Sequence, residues 1–154
     1  MSKLLKIGAL LTLGATLSFG ATQAEMDAVK AHVNAGVEFC KKVGVTACVK
    51  EFNKPESKWV KGEMYIWAND FDGVITAHPK KPLKGKNLYN YKDKAGNQLF
   101  ANFVKKVKAD GEGWVDYVWA HPVTNKQADK TSFVKGIGEN QLIGCGLYKN
   151  DGTK

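Results

Sequence analysis

The chain has 154 residues, which is enough for one domain with one hydrophobic core. All 23 basic residues are lysine, and they face 15 acidic residues, for a formal net charge of +8. The absence of arginine argues against a nucleic-acid-binding protein, because arginine is the usual residue for bidentate contacts to phosphates and bases.

Residues 1–24 have the pattern of a secretory signal peptide. Lys3 and Lys6 give the N-terminal region a positive charge, and residues 7–21 form an uncharged apolar stretch. Thr22-Gln23-Ala24 then offers small residues for cleavage by a signal peptidase. We expect cleavage after Ala24, which leaves residues 25–154 as one soluble periplasmic domain with a net charge of +6. An uncleaved membrane anchor is the alternative, although the apolar stretch is shorter than the ~20 residues that a spanning helix needs.

The first element after this segment is an amphipathic helix. Apolar residues spaced by three and four predict a helix over residues 25–43, and Gly44 is a plausible end. Short turns are expected over residues 46–52. Cys40 and Cys48 flank Gly44, and an exported protein permits a disulfide between them, although the spacing alone leaves the bridge open. Cys145 is expected to stay unpaired as a small buried side chain.

A β-hairpin is predicted over residues 62–79. Alternation places Tyr65 and Trp67 on one face of its first strand, and Asp72-Gly73 supplies the turn. The second strand runs from residue 74 to 78 and places Thr76 and His78 on that same face, before Pro79 ends it. Large amphipathic rings with a hydroxyl and an imidazole on one face are typical of the lining of a small-molecule pocket. They are equally typical of an aromatic core with a solvent-exposed edge.

A second helix and three strands complete the chain. The helix is predicted over residues 97–109, and the strands over residues 114–119, 130–135 and 141–148. Ala120-His121-Pro122 ends the first of these strands, as Ala77-His78-Pro79 ends the hairpin. Two glycines at the centre of the last strand leave room for a group to approach the sheet. The order predicts an α+β sandwich: a five-stranded antiparallel sheet with one helix on each face.

Several short motifs, in order along the chain, resemble the single Cache domain. They are Tyr65-Ile66-Trp67 with Asp72-Gly73, Ala77-His78-Pro79, Gly85-Lys86-Asn87-Leu88, Asp93 with Gly96, Gly113-Trp114-Val115-Asp116-Tyr117, Lys130-Thr131-Ser132-Phe133-Val134 and Gly144-Cys145-Gly146-Leu147-Tyr148. The resemblance covers essentially residues 25–154. It implies a PAS-like sheet behind a long N-terminal helix, with a short helix and loops over the ligand face, in an extracytoplasmic sensor for small ligands such as short carboxylates.

The pattern of alternation, carried across the sheet, defines a candidate site beneath the second helix. A carboxylate needs hydrogen-bond donors inside an apolar enclosure, and a buried lysine facing it would have the ligand as its natural counter-charge. A solvated lysine after Asp129 is the alternative for Lys130. The predicted ligand-binding residues are Tyr65, Trp67, Thr76, His78, Tyr117, Trp119, Lys130 and Ser132.

The function predicted from these features is sensing without catalysis or a cofactor. The domain would bind a short organic acid and hand a signal to a separate membrane receptor or kinase. A small enzyme using His78, His121, Asp116 or Ser132 is one alternative, but no nucleophile elbow, zinc-protease motif or phosphate loop supports it. A metal carrier using His32, His78 and His121 lacks paired ligand spacing. A partner-binding protein with no small ligand is the last alternative.

Overall fold

The computed structural model describes residues 20–153, so residues 1–19 of the predicted signal peptide lie outside the described part. Helix α1, Gln23–Val43, begins at a capping box: the Thr22 hydroxyl accepts from the Glu25 amide, and the Glu25 carboxylate accepts from the Thr22 amide. It ends at Gly44, whose φ of 88° favours glycine. None of the helices within residues 20–153 is long and apolar enough to cross a bilayer.

The residues after Gly44 form a second helix rather than isolated turns. Helix α2 spans Val45–Phe52, and a disulfide joins Cys40 of α1 to Cys48 of α2, with a Cα–Cα distance of 5.0 Å. Because the two helices meet at a single glycine, the bridge fixes the angle between them. Cys145 is a free, buried cysteine on the same side of the sheet.

The predicted hairpin is divided into two parts. Strands β1, Val60–Lys61, and β2, Met64–Tyr65, form a separate two-stranded ribbon, and the large sheet begins with β3, Trp67–Asp70. Ile66 lies between them and still bonds toward the small ribbon, because its amide donates to the carbonyl of Trp59 at 3.2 Å. The chain joins the large sheet only at Trp67. The prediction of one continuous strand up to Asn69 was therefore wrong.

The main sheet is antiparallel and has five strands. The other strands are β4, Ile75–Ala77; β5, Glu112–Ala120; β6, Gln127–Ile137; and β7, Gln141–Tyr148. Their order across the sheet is β4-β3-β7-β6-β5. Helix α1 packs on one face through Val29, Val33 and Val37, and helix α3, Leu99–Asp110, packs on the other through Phe103 and Val104. The predicted α+β architecture is confirmed.

The segment from His78 to Asp110, which we call the cover, lies over the α3 face of the sheet. Its loop is held at the β4 edge, where Gly85 donates to the Ile75 carbonyl and the Ile75 amide donates to Lys86. At the opposite edge, the Asp93 carboxylate accepts from the Val118 amide of β5 at 2.8 Å. The cover is therefore attached at both edges of the sheet and encloses the space between them.

Candidate functional site

Three strands bring Tyr117, Lys130 and Tyr148 side by side. Tyr117 of β5 and Tyr148 of β7 are both register partners of Lys130 on the central strand β6. Directly opposed residues of antiparallel strands lie on the same face, so their side chains are neighbours. Lys130 is only 1% exposed, which excludes the alternative of a solvated lysine.

The Lys130 ammonium group lies between aromatic rings. Its Nζ atom is 4.4 Å from the centre of the Tyr65 ring and 4.5 Å from that of Tyr148, with the two hydroxyl oxygens at 3.3 Å and 3.5 Å. Ring faces attract cations, so the rings replace part of the lost hydration. No carboxylate lies within 4.0 Å of this nitrogen in residues 20–153. The site therefore holds a buried cation with only neutral groups in direct contact.

Burial changes the charge of this cluster at neutral pH. Loss of hydration lowers the pKa of Lys130 to about 7. Burial, with the positive Lys130 and Lys81 nearby, also lowers the pKa of His78 to about 3, so this imidazole is neutral. Burial raises the pKa of Tyr148 to about 12, so its phenol keeps its proton. The Lys130 ammonium is thus the one charge in this group that a ligand anion could neutralise.

The glycines of β7 give space to side chains of the protein itself. A Cβ on Gly144 would lie 2.2 Å from the Trp67 ring, and one on Gly146 would lie 2.1 Å from the hydroxyl of Ser132. The Ser132 hydroxyl in turn shares a hydrogen bond of 2.8 Å with the phenol of Tyr117. Both glycines therefore let the site's own residues approach the sheet closely.

A small cavity lies between these residues and the cover. Its volume is about 10 Å³, room for roughly one water molecule, so the site is closed in this conformation. Lys130 is not itself a lining residue, but its ammonium nitrogen lies 4.4 Å and 5.9 Å from the ring centres of Tyr65 and Trp67, which line the cavity. The lining residues are Tyr65, Trp67, His78, Leu99, Phe100, Phe103, Tyr117 and Trp119.

The two His-Pro turns are built alike. The Nδ1 atom of His78 accepts from the amides of Lys80 and Lys81, at 3.3 Å and 3.1 Å. Nδ1 of His121 accepts in the same way from the amides two and three residues on. A neutral ring whose Nδ1 accepts carries its proton on Nε2, so His78 offers an N–H donor beside the cavity. Nε2 of His121 instead lies 3.2 Å from the Glu63 carboxylate.

The structure does not bring Thr76 to this cluster. Ala68 pairs with Ala77 and Asn69 pairs with Ile75, so Thr76 is the extra residue of a β-bulge. Its hydroxyl donates to the side-chain carbonyl of Gln141 at 3.0 Å. Alternation does not continue through a bulge, and for that reason the sequence pattern misplaced this side chain.

The structure brings the other seven predicted residues together, and it adds several that were not predicted. One is Tyr148, which contacts Lys130 and is placed there by the register of β6 against β7. Phe100 and Phe103 lie on the apolar face of α3, where spacing indicated packing but not a cavity wall. His32, the remaining histidine, bonds to the Trp59 carbonyl, and residues 20–153 contain no cluster of three potential metal ligands.

A larger cleft lies at the surface beside the site. It measures about 530 Å³ and adjoins the outer side of Tyr65. Its lining includes Glu63, which pairs with His121, together with Lys80, Lys81 and the exposed Val123. Tyr65 belongs to the walls of both spaces, so this one side chain separates the cleft from the small cavity.

Comparison with known proteins gives several similar chains. One is the methyl-accepting chemotaxis protein McpP of Pseudomonas putida, with 29% identity over 89 residues, which are 56% of this chain. The matched part spans only 16% of the length of that relative.

Solved structures are similar over a larger share of the chain. A methyl-accepting chemotaxis protein from Vibrio parahaemolyticus has a TM-score of 0.71 at 28% identity, over 83% of this chain and 90% of the other. A periplasmic sensor domain of a chemotaxis protein gives 0.65 at 29% identity, over 83% and 92%. A Cache chemosensory domain, described for its recognition of a carboxylic acid, gives 0.64 at 27%, over 81% and 90%. These likenesses confirm the predicted PAS-like fold.

The family match covers most of the described chain. Residues 42–154 match the family model for the Cache domain, which includes every strand and every residue of the site. Cache domains are extracytoplasmic sensors that bind small ligands without transforming them. The chain belongs to the Cache domain family.

Proposed function

We propose that this domain binds a short organic acid beneath the cover and acts as a free-standing periplasmic sensor. The observation that carries the proposal is the Lys130 ammonium, which is buried without a counter-charge. An unpaired buried charge is costly, and a ligand carboxylate would remove that cost.

The surrounding groups match the rest of such a ligand. Trp67, Phe103 and Trp119 supply apolar walls, while the His78 N–H and the Lys130 ammonium supply donors. A ligand with few carbon atoms is favoured because the rings that form the walls pack against each other. The ring centres of Phe103 and Tyr117, for example, are 5.1 Å apart. Since even acetate needs more room than one water molecule, we infer that the cover shifts when the ligand enters.

One of the similar structures supports the same class of ligand, since it is a Cache chemosensory domain described for its recognition of a carboxylic acid. Two others come from chemotaxis proteins. McpP itself is a much longer chemotaxis protein. We infer that this domain passes its signal to a separate membrane receptor or kinase.

Isothermal titration with acetate, propionate and pyruvate tests the assignment. Lys130→Met should weaken binding about ten- to a hundredfold, since a hydrogen bond to a charged group contributes roughly 1.5–3 kcal/mol. The variant should unfold at the same temperature as the wild type or higher, because an unpaired buried charge is gone. Lys105→Met, on the exposed side of α3, is the matched control and should change neither. Equal affinities of wild type and Lys130→Met would show that the anion site is misassigned.

Export is tested by the intact mass of the protein from the periplasmic fraction. The proposal expects a chain that starts near Glu25. Cleavage after Ala24 would remove the Thr22 cap of α1, so the first turn of the mature helix should be less stable by about 1 kcal/mol. A full-length mass found only in membranes would contradict the proposed export.

A further inference from the structure

The positive charge of the protein is concentrated in the cover. The cover carries nine lysines and two aspartates, whereas the other described residues carry eleven lysines and thirteen acidic residues. The part of the chain that encloses the site is therefore strongly basic, and the rest of the described surface is slightly acidic.

The cover lysines are also mostly unpaired. In residues 20–153, only Lys106 among the nine has a carboxylate within 4.0 Å, from Asp110. Outside the cover, five of eleven lysines form such pairs. Asp93, the other acidic residue of the cover, is buried and bonds to amide groups instead. Seven of the nine lysines are exposed, so their like charges repel one another. Apart from Asp110 beside Lys106, the cover has no exposed carboxylate to neutralise them.

We propose that the exposed face of the cover is a docking surface for an acidic face of a protein partner. This goes beyond ligand binding, since one small acid needs only Lys130. Lys80 and Lys81 line the cleft on the outer side of Tyr65. The exposed Lys84, Lys92 and Lys94 line neither the cleft nor the cavity.

Two other anionic partners fit less well. Membrane-binding surfaces combine basic residues with exposed apolar side chains that enter the lipid. Tyr91 is the only large apolar side chain exposed on the cover, at 41%. Nucleic acid is disfavoured because lysine, as a point charge, lacks the bidentate geometry of arginine. An acidic protein surface needs only complementary charge, which this face supplies.

The position of the surface would join docking to sensing. This step rests on the proposed function, in which the cover shifts to admit a ligand and its outer lysines therefore move between the open and closed forms. A partner that prefers one form would then change ligand affinity, and the ligand would change partner affinity by the same factor.

Two charge-matched variants test the docking surface. In the first, Lys84, Lys86, Lys92 and Lys94 become Gln; in the control, Lys42, Lys50, Lys61 and Lys126 become Gln. All eight lysines are exposed and unpaired in the described structure, and each variant loses four charges. Both should keep the wild-type melting temperature, since no buried contact is removed.

The probe is a short fluorescent poly-L-glutamate peptide at about 0.15 M salt, where charges further apart than ~8 Å are screened. The wild type should bind it, the cover variant about tenfold more weakly or worse, and the control within about twofold of the wild type. Equal losses in both variants would show that net charge alone acts, and would overturn the proposal. So would an absence of wild-type binding. Cover-dependent sedimentation with phosphatidylglycerol vesicles would overturn the assignment to a protein partner.

Discussion

Tyr148 and Lys130 are register partners on neighbouring strands, and the Tyr148 phenol oxygen lies 3.5 Å from the Lys130 ammonium nitrogen. The same phenol donates its proton to the Ala120 carbonyl at 3.0 Å. Its remaining lone pair is therefore turned toward the cation. The contact places Tyr148 in the proposed anion site, although Tyr148 is absent from the wall of the closed cavity.

Replacing Tyr148 with Phe isolates the role of the hydroxyl, because the ring that faces Lys130 is kept. We expect acetate affinity to fall about threefold to tenfold, because the phenol oxygen accepts from Lys130 and so orients its ammonium group, and one hydrogen bond contributes roughly 0.5–1.5 kcal/mol. The free energy of unfolding should fall by about 1 kcal/mol as the Ala120 carbonyl loses its partner. Titration calorimetry and urea unfolding measure the two effects. Tyr91→Phe, at an exposed tyrosine, is the control; unchanged affinity in Tyr148→Phe would exclude the hydroxyl from the site.

Acetate affinity should depend on pH through Lys130. Its pKa in the free protein is about 7, and a bound carboxylate favours the charged form. Above about pH 7 binding must take up a proton, so affinity should fall about tenfold per pH unit, while it should stay level from there down to about pH 5.5. His78, with a pKa of about 3, and Cys145 and Tyr148, with values of about 12, do not change charge in this range.

Calorimetry in buffers of different ionisation enthalpy measures the proton uptake directly. His121→Gln, which removes the partner of Glu63 at the cleft, should keep the slope, and Lys130→Met should lose it. A wild-type affinity that is level up to pH 9, about two units above this pKa, would contradict the prediction.

Gly144→Ala should disturb the site through Trp67. The new methyl group would meet the indole ring at 2.2 Å, so we expect a loss of about 1–3 kcal/mol in unfolding free energy, with weaker acetate binding. Gly136→Ala, where the nearest atom is a Val107 methyl at 3.2 Å, is the milder control. Combining Gly144→Ala with Trp67→Leu should cost less than the sum of the two single changes. Full additivity in denaturant unfolding would show that the residues do not interact.

Protein taken from the periplasm should have one free thiol of three when it is denatured without reductant. The Cys40–Cys48 bridge closes a short loop, so replacing both cysteines with Ala should lower the free energy of unfolding by about 2–3 kcal/mol. Cys145→Ala should leave the bridge intact and produce no free thiol at all. Three free thiols in the native material would contradict the bridge.

Local patterns predicted the elements of this fold well, and the pairing of the strands was harder. Helix α1 could be predicted from the spacing of its valines, and the strand over residues 141–148 from its own sequence, because periodicity is a local property. Thr76 was assigned to the wrong face because one extra residue in a strand reverses the direction of the side chains. The residues next to Thr76 carry no sequence signal for a bulge.

The candidate site shows the same difference between what local patterns predict and what depends on strand pairing. Lys130 could be proposed as an anion-binding residue from its parity with Ser132 on one strand. Tyr148 could not, because its place beside Lys130 depends on the register of two strands joined by a turn of uncertain length. The cavity wall from α3 likewise depends on how the helix sits over the sheet, which the amphipathic pattern does not specify.

The hydrogen bond from Val118 to Asp93 has a consequence for how the protein behaves at high concentration. Strand β5 lies at the edge of the sheet, and free amides along such an edge are a template for pairing with another chain. The Asp93 carboxylate occupies one of them and holds the cover against that edge. Any opening that releases Asp93 uncovers a strand that can pair with a neighbouring molecule. A ligand that strengthens the contact between Asp93 and Val118 should therefore also protect the protein from aggregation.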